Sequence, residues 1–271
     1  MITAMRIIKI VLFLGVPVAA QWLNLPTAGI PRTPDGKPNL SAPAPKTSGG
    51  KPDFSGMWIP RDILPCKLSQ DGVQCSELPL TPQAANFAAG VKDGLPYQPW
   101  AADLVKNRSK EAPFVDPHAH CMPPNFPRAW SFPETEKIFQ TPNQLIILHE
   151  FNASYRQIFF DGRKLPEDML PSWNGYSVAH WEDDALVVES AGYRDDSWLD
   201  IRGNFFSSEA RVTERIRRPN FGSLDIDVTV NDAKVFTKPW TVSLHMRPLL
   251  DTEMIDSYCQ DNNKDLEHLV R

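Results

Sequence analysis

Glycine is scarce in this chain, at 14 of 271 residues, while proline reaches 26. That balance argues against flexible glycine linkers and against a helix bundle, because each proline removes a backbone donor and fixes φ. A basic excess is also missing: 28 Lys and Arg stand against 33 Asp and Glu. A nucleic-acid surface needs clustered cations to neutralise phosphates, so nucleic acid is set aside as a partner. The sequence contains no Gly-x-Ser-x-Gly elbow, no Gly-x-x-x-x-Gly-Lys phosphate loop, no Gly-x-Gly-x-x-Gly fingerprint and no His-Glu-x-x-His pair. Their absence removes the common hydrolase, kinase, dehydrogenase and metalloprotease assignments. After residue 20 no apolar run approaches the ~20 residues of a bilayer span.

What is present begins with a leader. Arg6 and Lys9 precede the apolar run Ile10 to Ala20, which ends in Val18-Ala19-Ala20 before Gln21. This is the order of a secretory signal peptide, and it predicts cleavage after residue 20 and a periplasmic or secreted location, an uncleaved anchor being the alternative. Four cysteines, Cys66, Cys75, Cys121 and Cys259, form an even set suited to disulfides in an exported chain. Cys66 with Cys75 is the cheapest closure and leaves Cys121 with Cys259. The rival use is a metal site through His118-x-His120 with His149 or Glu150, but the third ligand is not local and no CxxC or HxxxH spacing occurs. Neither a metal nor a cofactor is expected.

Residues 21–52 have the Pro, Gly, Ser and Lys content of a linker, inside which Gly36-Lys37-Pro38-Asn39-Leu40-Ser41 returns fourteen residues later as Gly50-Lys51-Pro52-Asp53-Phe54-Ser55. Residues 53–271 read as one β-rich domain. Helical periodicity is confined to Thr81 to Lys92 and Pro99 to Lys110, where Ala101, Leu104, Val105 and Arg108 share a face. Prolines interrupt residues 112–142 throughout. From Leu145 the period becomes two. Leu145 to Phe151 pairs with Tyr155 to Phe160, and Tyr176 to Trp181 with Ala185 to Ser190. Arg211 to Arg217 leads into Leu224, Ile226, Val228 and Val230 alternating with polar residues, then Val235 to Met246. Six or seven antiparallel strands in sequence order predict a mainly β fold, a meander closing into a barrel, with a β-sandwich as the alternative.

The strings Lys51-Pro52-Asp53-Phe54-Ser55-Gly56-Met57-Trp58, Asp161-Gly162-Arg163, Pro171-Ser172-Trp173-Asn174-Gly175-Tyr176-Ser177-Val178, Thr237-Lys238-Pro239-Trp240, Asn262-Asn263 and His268-Leu269-Val270 resemble a family of exported, uncharacterised bacterial proteins. The resemblance covers nearly all of the chain after the leader and supplies no reaction. The chain departs from that pattern at Ala179-His180, at Asp183, and at Phe206, where a His is common. Separately, Gly56-x-Trp58 entering a first strand resembles the opening of lipocalin-like barrels, which implies an aromatic closing the barrel floor.

Three groups of residues suggest chemistry. Tyr176, Val178, His180 and Glu182 share one face of a strand, so the Glu182 carboxylate can position His180 as a general base. Glu182 also borders Asp183 and Asp184, and a solvated hairpin tip explains it as well. Asp161 and Arg163 lie two apart at a strand end, as an acid and an anion clamp or as a plain Asp-Gly turn with its cap. Trp173, Tyr176, Trp198 and Trp240 are candidate aromatic walls or core. Together they predict a barrel binding an apolar or aromatic small molecule, with acid-base catalysis by Asp161, Arg163, His180 and Glu182 in a cofactor-free hydrolase, lyase or isomerase. The alternatives are a non-catalytic binding protein and an envelope interaction module.

Overall fold

The computed structural model describes residues 25–61, 67–69, 72–74 and 86–261. The expected signal peptide, the Cys66 and Cys75 pair, residues 81–85 of the first expected helix, and the Asn262-Asn263 and His268 motifs lie outside them.

Nine strands form a closed barrel, in the order β1 (Gly56–Pro60), β4 (Glu136–Gln140), β5 (Gln144–His149), β6 (Ser154–Phe159), β7 (Tyr176–Glu182), β8 (Ala185–Ala191), β9 (Arg211–Asn220), β10 (Ser223–Asn231) and β11 (Trp240–Pro248), which returns to β1. A separate hairpin pairs β2 (Lys67–Ser69) with β3 (Gly72–Gln74). The fold is therefore the expected barrel rather than the sandwich. The alternation read from the sequence produces it: on β10, Leu224, Ile226, Val228 and Val230 are all fully buried, pairing side by side with Val212 and Ile216 of β9 and Val242, Leu244 and Met246 of β11 on the inner face of the wall.

Three features differ from the expectation. First, β6 and β7 run parallel and pair only through Ile158–Ser177 and Phe159–Val178, because residues 160–175 carry the chain back along the wall before β7 starts. The meander is thus mixed, and its wall is thin at this seam. Second, β4 fits between Pro133 and Pro142, where the prolines bound a five-residue strand without entering it. Third, only one α-helix forms, α1 (Pro99–Val115), and its Ala101, Leu104 and Val105 pack on the core as expected. Within the other expected helix, the described part is a single 3-10 turn, Phe87–Gly90.

Trp58 is buried at the start of the barrel, its Nε1 donating to the Phe54 carbonyl at 2.9 Å. Gly56 holds φ at +137°, which a side chain rarely adopts. The Arg218 guanidinium lies 4.7 Å from the Trp58 ring and donates to the carbonyls of Asp53 and Phe221. Residues 25–52 lie against this end. The duplicated hexamers sit in two turns with matching hydrogen bonds: Thr33 N to Lys37 O and Asn39 N to Pro31 O in the first, Thr47 N to Lys51 O and Asp53 N to Pro45 O in the second. Between the turns, Leu40 and Ala42 accept backbone hydrogen bonds from Gly222 and Phe221. Leu40 approaches so closely that a Cβ on Gly222 would lie 2.5 Å from the Leu40 Cβ.

Cys121 and Cys259 form a disulfide with a Cα–Cα distance of 5.4 Å. Asn152 ties both ends of it to the β5–β6 turn, donating to Cys121 O at 2.6 Å and accepting from Cys259 N at 3.1 Å. Among the described residues, no helix is long and apolar enough to cross a membrane.

Candidate functional site: the cleft at the parallel seam

Where β6 and β7 stop pairing, the backbone of residues 154–157 has no strand beside it on that side, and the 172–176 segment stands off from it. The gap is a cleft of about 460 Å³, within the size range of small-molecule pockets. Its two sides are joined by hydrogen bonds from Asn174 Nδ2 to Tyr155 O at 2.9 Å and, deeper, from Arg156 Nε to Ser177 Oγ at 3.2 Å. Its shape depends on Gly175, whose φ is +63° and whose added Cβ would stand 2.7 Å from Ala191 O, a contact no side chain can make.

The two faces of β6 give the cleft its two characters. Tyr155, Gln157 and Phe159 point outward and Ser154, Arg156 and Ile158 inward, as the alternating burial shows. Aromatic walls come from Tyr155, Phe159, Trp173 and Tyr176. Phe159 and Tyr176 stack at 5.6 Å, while one face of Trp173 carries the Arg194 guanidinium at 4.8 Å. The floor is polar. Ser154 Oγ and Asn174 Oδ1 are buried there without a hydrogen-bond partner.

Beneath the floor, inside the barrel, lies a network of buried charge. Arg156 bonds both carboxylate oxygens of Glu214 and also reaches Ser177 Oγ at 3.2 Å and Ser190 Oγ at 2.9 Å. Trp130 Nε1 donates to Glu214 Oε1 at 2.6 Å. Burial disfavours the Arg156 charge, but Glu214 outweighs it and raises the guanidinium pKa. Nearby, fully buried His149 has Nδ1 2.7 Å from Glu136 Oε1 and Nε2 3.1 Å from Glu134 Oε2. Desolvation alone would push His149 down, yet the two carboxylates prevail and lift it to about 10, while burial raises Glu136.

The four residues expected to act chemically lie elsewhere. His180 and Glu182 share a face as expected, but it is the outer face: Ser177, Ala179 and Trp181 turn inward instead. His180 Nε2 is 3.2 Å from Glu182 Oε1, which in turn pairs with Arg215 through its other oxygen, and all three are solvent-exposed or half-exposed. Asp161 and Arg163 satisfy each other in a two-pronged exposed pair. Two contacts join Arg163 to walls of the cleft: its Nη1 donates to Tyr176 Oη at 3.0 Å, and its guanidinium lies 3.9 Å from the Phe159 ring. Asp161 and Glu182 are held below the ordinary carboxylate range, by the Arg163 and Arg215 guanidinium bonds respectively. An acid kept ionised by its partner is a poor proton donor.

Among the four expected aromatic walls, Trp173 and Tyr176 line the cleft, and Trp198 and Trp240 do not. Trp198 is buried under Arg108, and Trp240 packs edge-on to Phe87 and Phe236. Phe206 is fully buried against Tyr193, their ring centroids 4.8 Å apart. His118 and His120 fall in a 3-10 turn rather than an extended segment. His118 lies 4.4 Å from Phe132 and 4.1 Å from Phe151, and His120 bonds Phe114 O. Among the described residues no group of three or more His, Cys, Asp or Glu side chains is placed to hold a metal ion.

Sequence reasoning passed over Glu136, Arg156 and Glu214, and considered His149 only as a metal ligand. Their signal was available: each is a charged or ionisable residue in the inward phase of an alternating strand, as Glu214 is between Val212 and Ile216. A scan of the sequence matches no protein-family model, and no curated protein matches it.

Proposed function

We propose that this is an exported binding protein that holds a ring-bearing, largely apolar small molecule in the cleft between β6 and β7. The observation that carries the reading is the set of aromatic side chains, Tyr155, Phe159, Trp173 and Tyr176, around an opening in the barrel wall. Aromatic surfaces exposed to water at a concave site gain free energy when a flat apolar ring displaces that water. Binding is favoured over turnover because the exposed acid and base candidates are tied up in ion pairs, while the ionisable groups under its floor neutralise one another. Export is supported by the leader sequence and by the Cys121–Cys259 bridge, since disulfides persist in oxidising compartments.

The test is a titration of the full chain with N-phenyl-1-naphthylamine, a neutral aromatic fluorophore that brightens on leaving water. Saturable binding is expected, weakened about tenfold or more in Trp173→Ala and in Tyr176→Ala, since each loses an aromatic contact of ~1 kcal/mol beyond its area. No saturable binding, or an affinity in both variants equal to that of the wild type, overturns the reading.

A further inference from the structure

The aromatic walls select for a ring, but they do not explain the polar floor. Asn174 spends its side-chain amide on Tyr155 O across the seam, and this fixes the orientation of the group, so that the carbonyl oxygen Oδ1 is the free end. That oxygen is buried and accepts nothing. Ser154 Oγ, on the opposite edge of the seam, is likewise buried with no partner. Both residues line the same cleft. An unpaired buried acceptor costs about 1–3 kcal/mol, and buried polar groups in folded proteins are nearly always satisfied. The neighbouring groups offer no relief: Arg156 is committed to Glu214, Ser177 and Ser190, and the two serine hydroxyls bond each other at 2.8 Å.

We propose that the ligand of this cleft is a phenol or a closely related hydroxylated aromatic, whose hydroxyl donates to Asn174 Oδ1 and accepts from the Ser154 hydroxyl while its ring lies among Tyr155, Trp173 and Tyr176. This rests on the binding reading above and narrows it to one ligand class. A hydroxyl is the group that matches, because it donates one hydrogen bond and accepts others, as the pair of Asn174 and Ser154 requires. A carboxylate would bring a second set of acceptors to Asn174 and is disfavoured. An unsubstituted hydrocarbon would leave both polar groups unpaired, and a site built to hydrogen-bond a hydroxyl discriminates strongly against analogues lacking it.

The experiment compares 2-naphthol with 2-methoxynaphthalene on the full chain, by calorimetry, with Asn174→Ala and Ser154→Ala alongside. The methyl ether keeps the ring and the acceptor but cannot donate. The wild type is expected to bind 2-naphthol about tenfold or more tightly than the ether. Asn174→Ala is expected to bring that ratio close to one with little change for the ether, and Ser154→Ala, which removes the donor to the oxygen both compounds carry, to weaken both and leave the ratio about unchanged. Equal binding of the two compounds by the wild type overturns the proposal and leaves the binding reading standing, whereas failure of both to bind sinks the binding reading itself. A preference that survives Asn174→Ala also overturns it. Should that variant not fold, the wild-type comparison and Ser154→Ala decide the matter.

Discussion

Inside the barrel the Arg156 guanidinium clamps both oxygens of the Glu214 carboxylate, although β6 and β9 are not neighbours in the sheet and both side chains are withdrawn from water. Two buried charges joined this way stabilise little as a pair, but either alone is expensive. Arg156→Met and Glu214→Met should each lower unfolding free energy by about 3–5 kcal/mol, and the double variant Arg156→Met/Glu214→Met should be less destabilised than the sum of the singles. Urea unfolding followed by tryptophan fluorescence measures all three. Additive losses would show that the two groups do not depend on each other.

Stability should fall as pH rises from neutral. His149 is raised from an ordinary 6.5 to about 10 in the folded state by Glu136 and Glu134. A group raised on folding contributes fully below its unfolded pKa, and that contribution disappears as pH climbs through the folded value. Glu136 is also raised, by burial, so its slope has the same sign. Unfolding free energy should therefore drop by a few kcal/mol, in order of magnitude, between pH 6.5 and pH 10. His149→Gln should flatten the decline. Denaturation at several pH values tests this, and an imidazole signal in NMR that is already neutral at pH 8 would contradict it.

Reducing the Cys121–Cys259 bond, or replacing both cysteines with serine, should destabilise the fold by about 2–5 kcal/mol, because the bond closes a loop spanning 138 residues of sequence. The chain-entropy argument places this near the upper end of the range, and equilibrium unfolding with and without reductant reads it directly. No shift would mean that Asn152 and the β-bridge from Phe151 to Ser257 suffice to hold the terminus.

His180→Ala and Asp161→Asn should leave the urea unfolding midpoint essentially unchanged, since both sit in exposed pairs on the outer surface, where ion pairs contribute little. Fluorophore affinity in the cleft should be unchanged in His180→Ala. A large loss there would return the outer face of β7 to consideration as the site.

Period-two alternation exposed β5 to β11 almost strand by strand, because a barrel with one wet and one dry face writes its geometry into every second residue. The cleft was half legible. Trp173 and Tyr176 stood out as aromatics beside a turn, yet nothing local reveals that β6 and β7 run parallel, since that depends on the path of residues 160–175. For the same reason His180 and Glu182 were correctly placed on a common face, while the side of the wall that face occupies was decided by Ser177 meeting Arg156 from another strand. Trp198 and Trp240 illustrate the converse: a large aromatic reads the same in a sequence whether it lines a pocket or fills a core.

The position of β1 carries a consequence for synthesis. Its Trp58 is paired with Pro248 on one edge and Glu136 on the other, so the first strand made waits for the last before the cylinder can shut. A growing polypeptide holds β1 as a bare edge, with unmet donors and acceptors, until nearly two hundred further residues have emerged. Nascent chains stalled before β11 should consequently be sticky toward one another, and the prolines at both ends of that final stretch, Pro239 and Pro248, are well placed to discourage foreign strands from joining first.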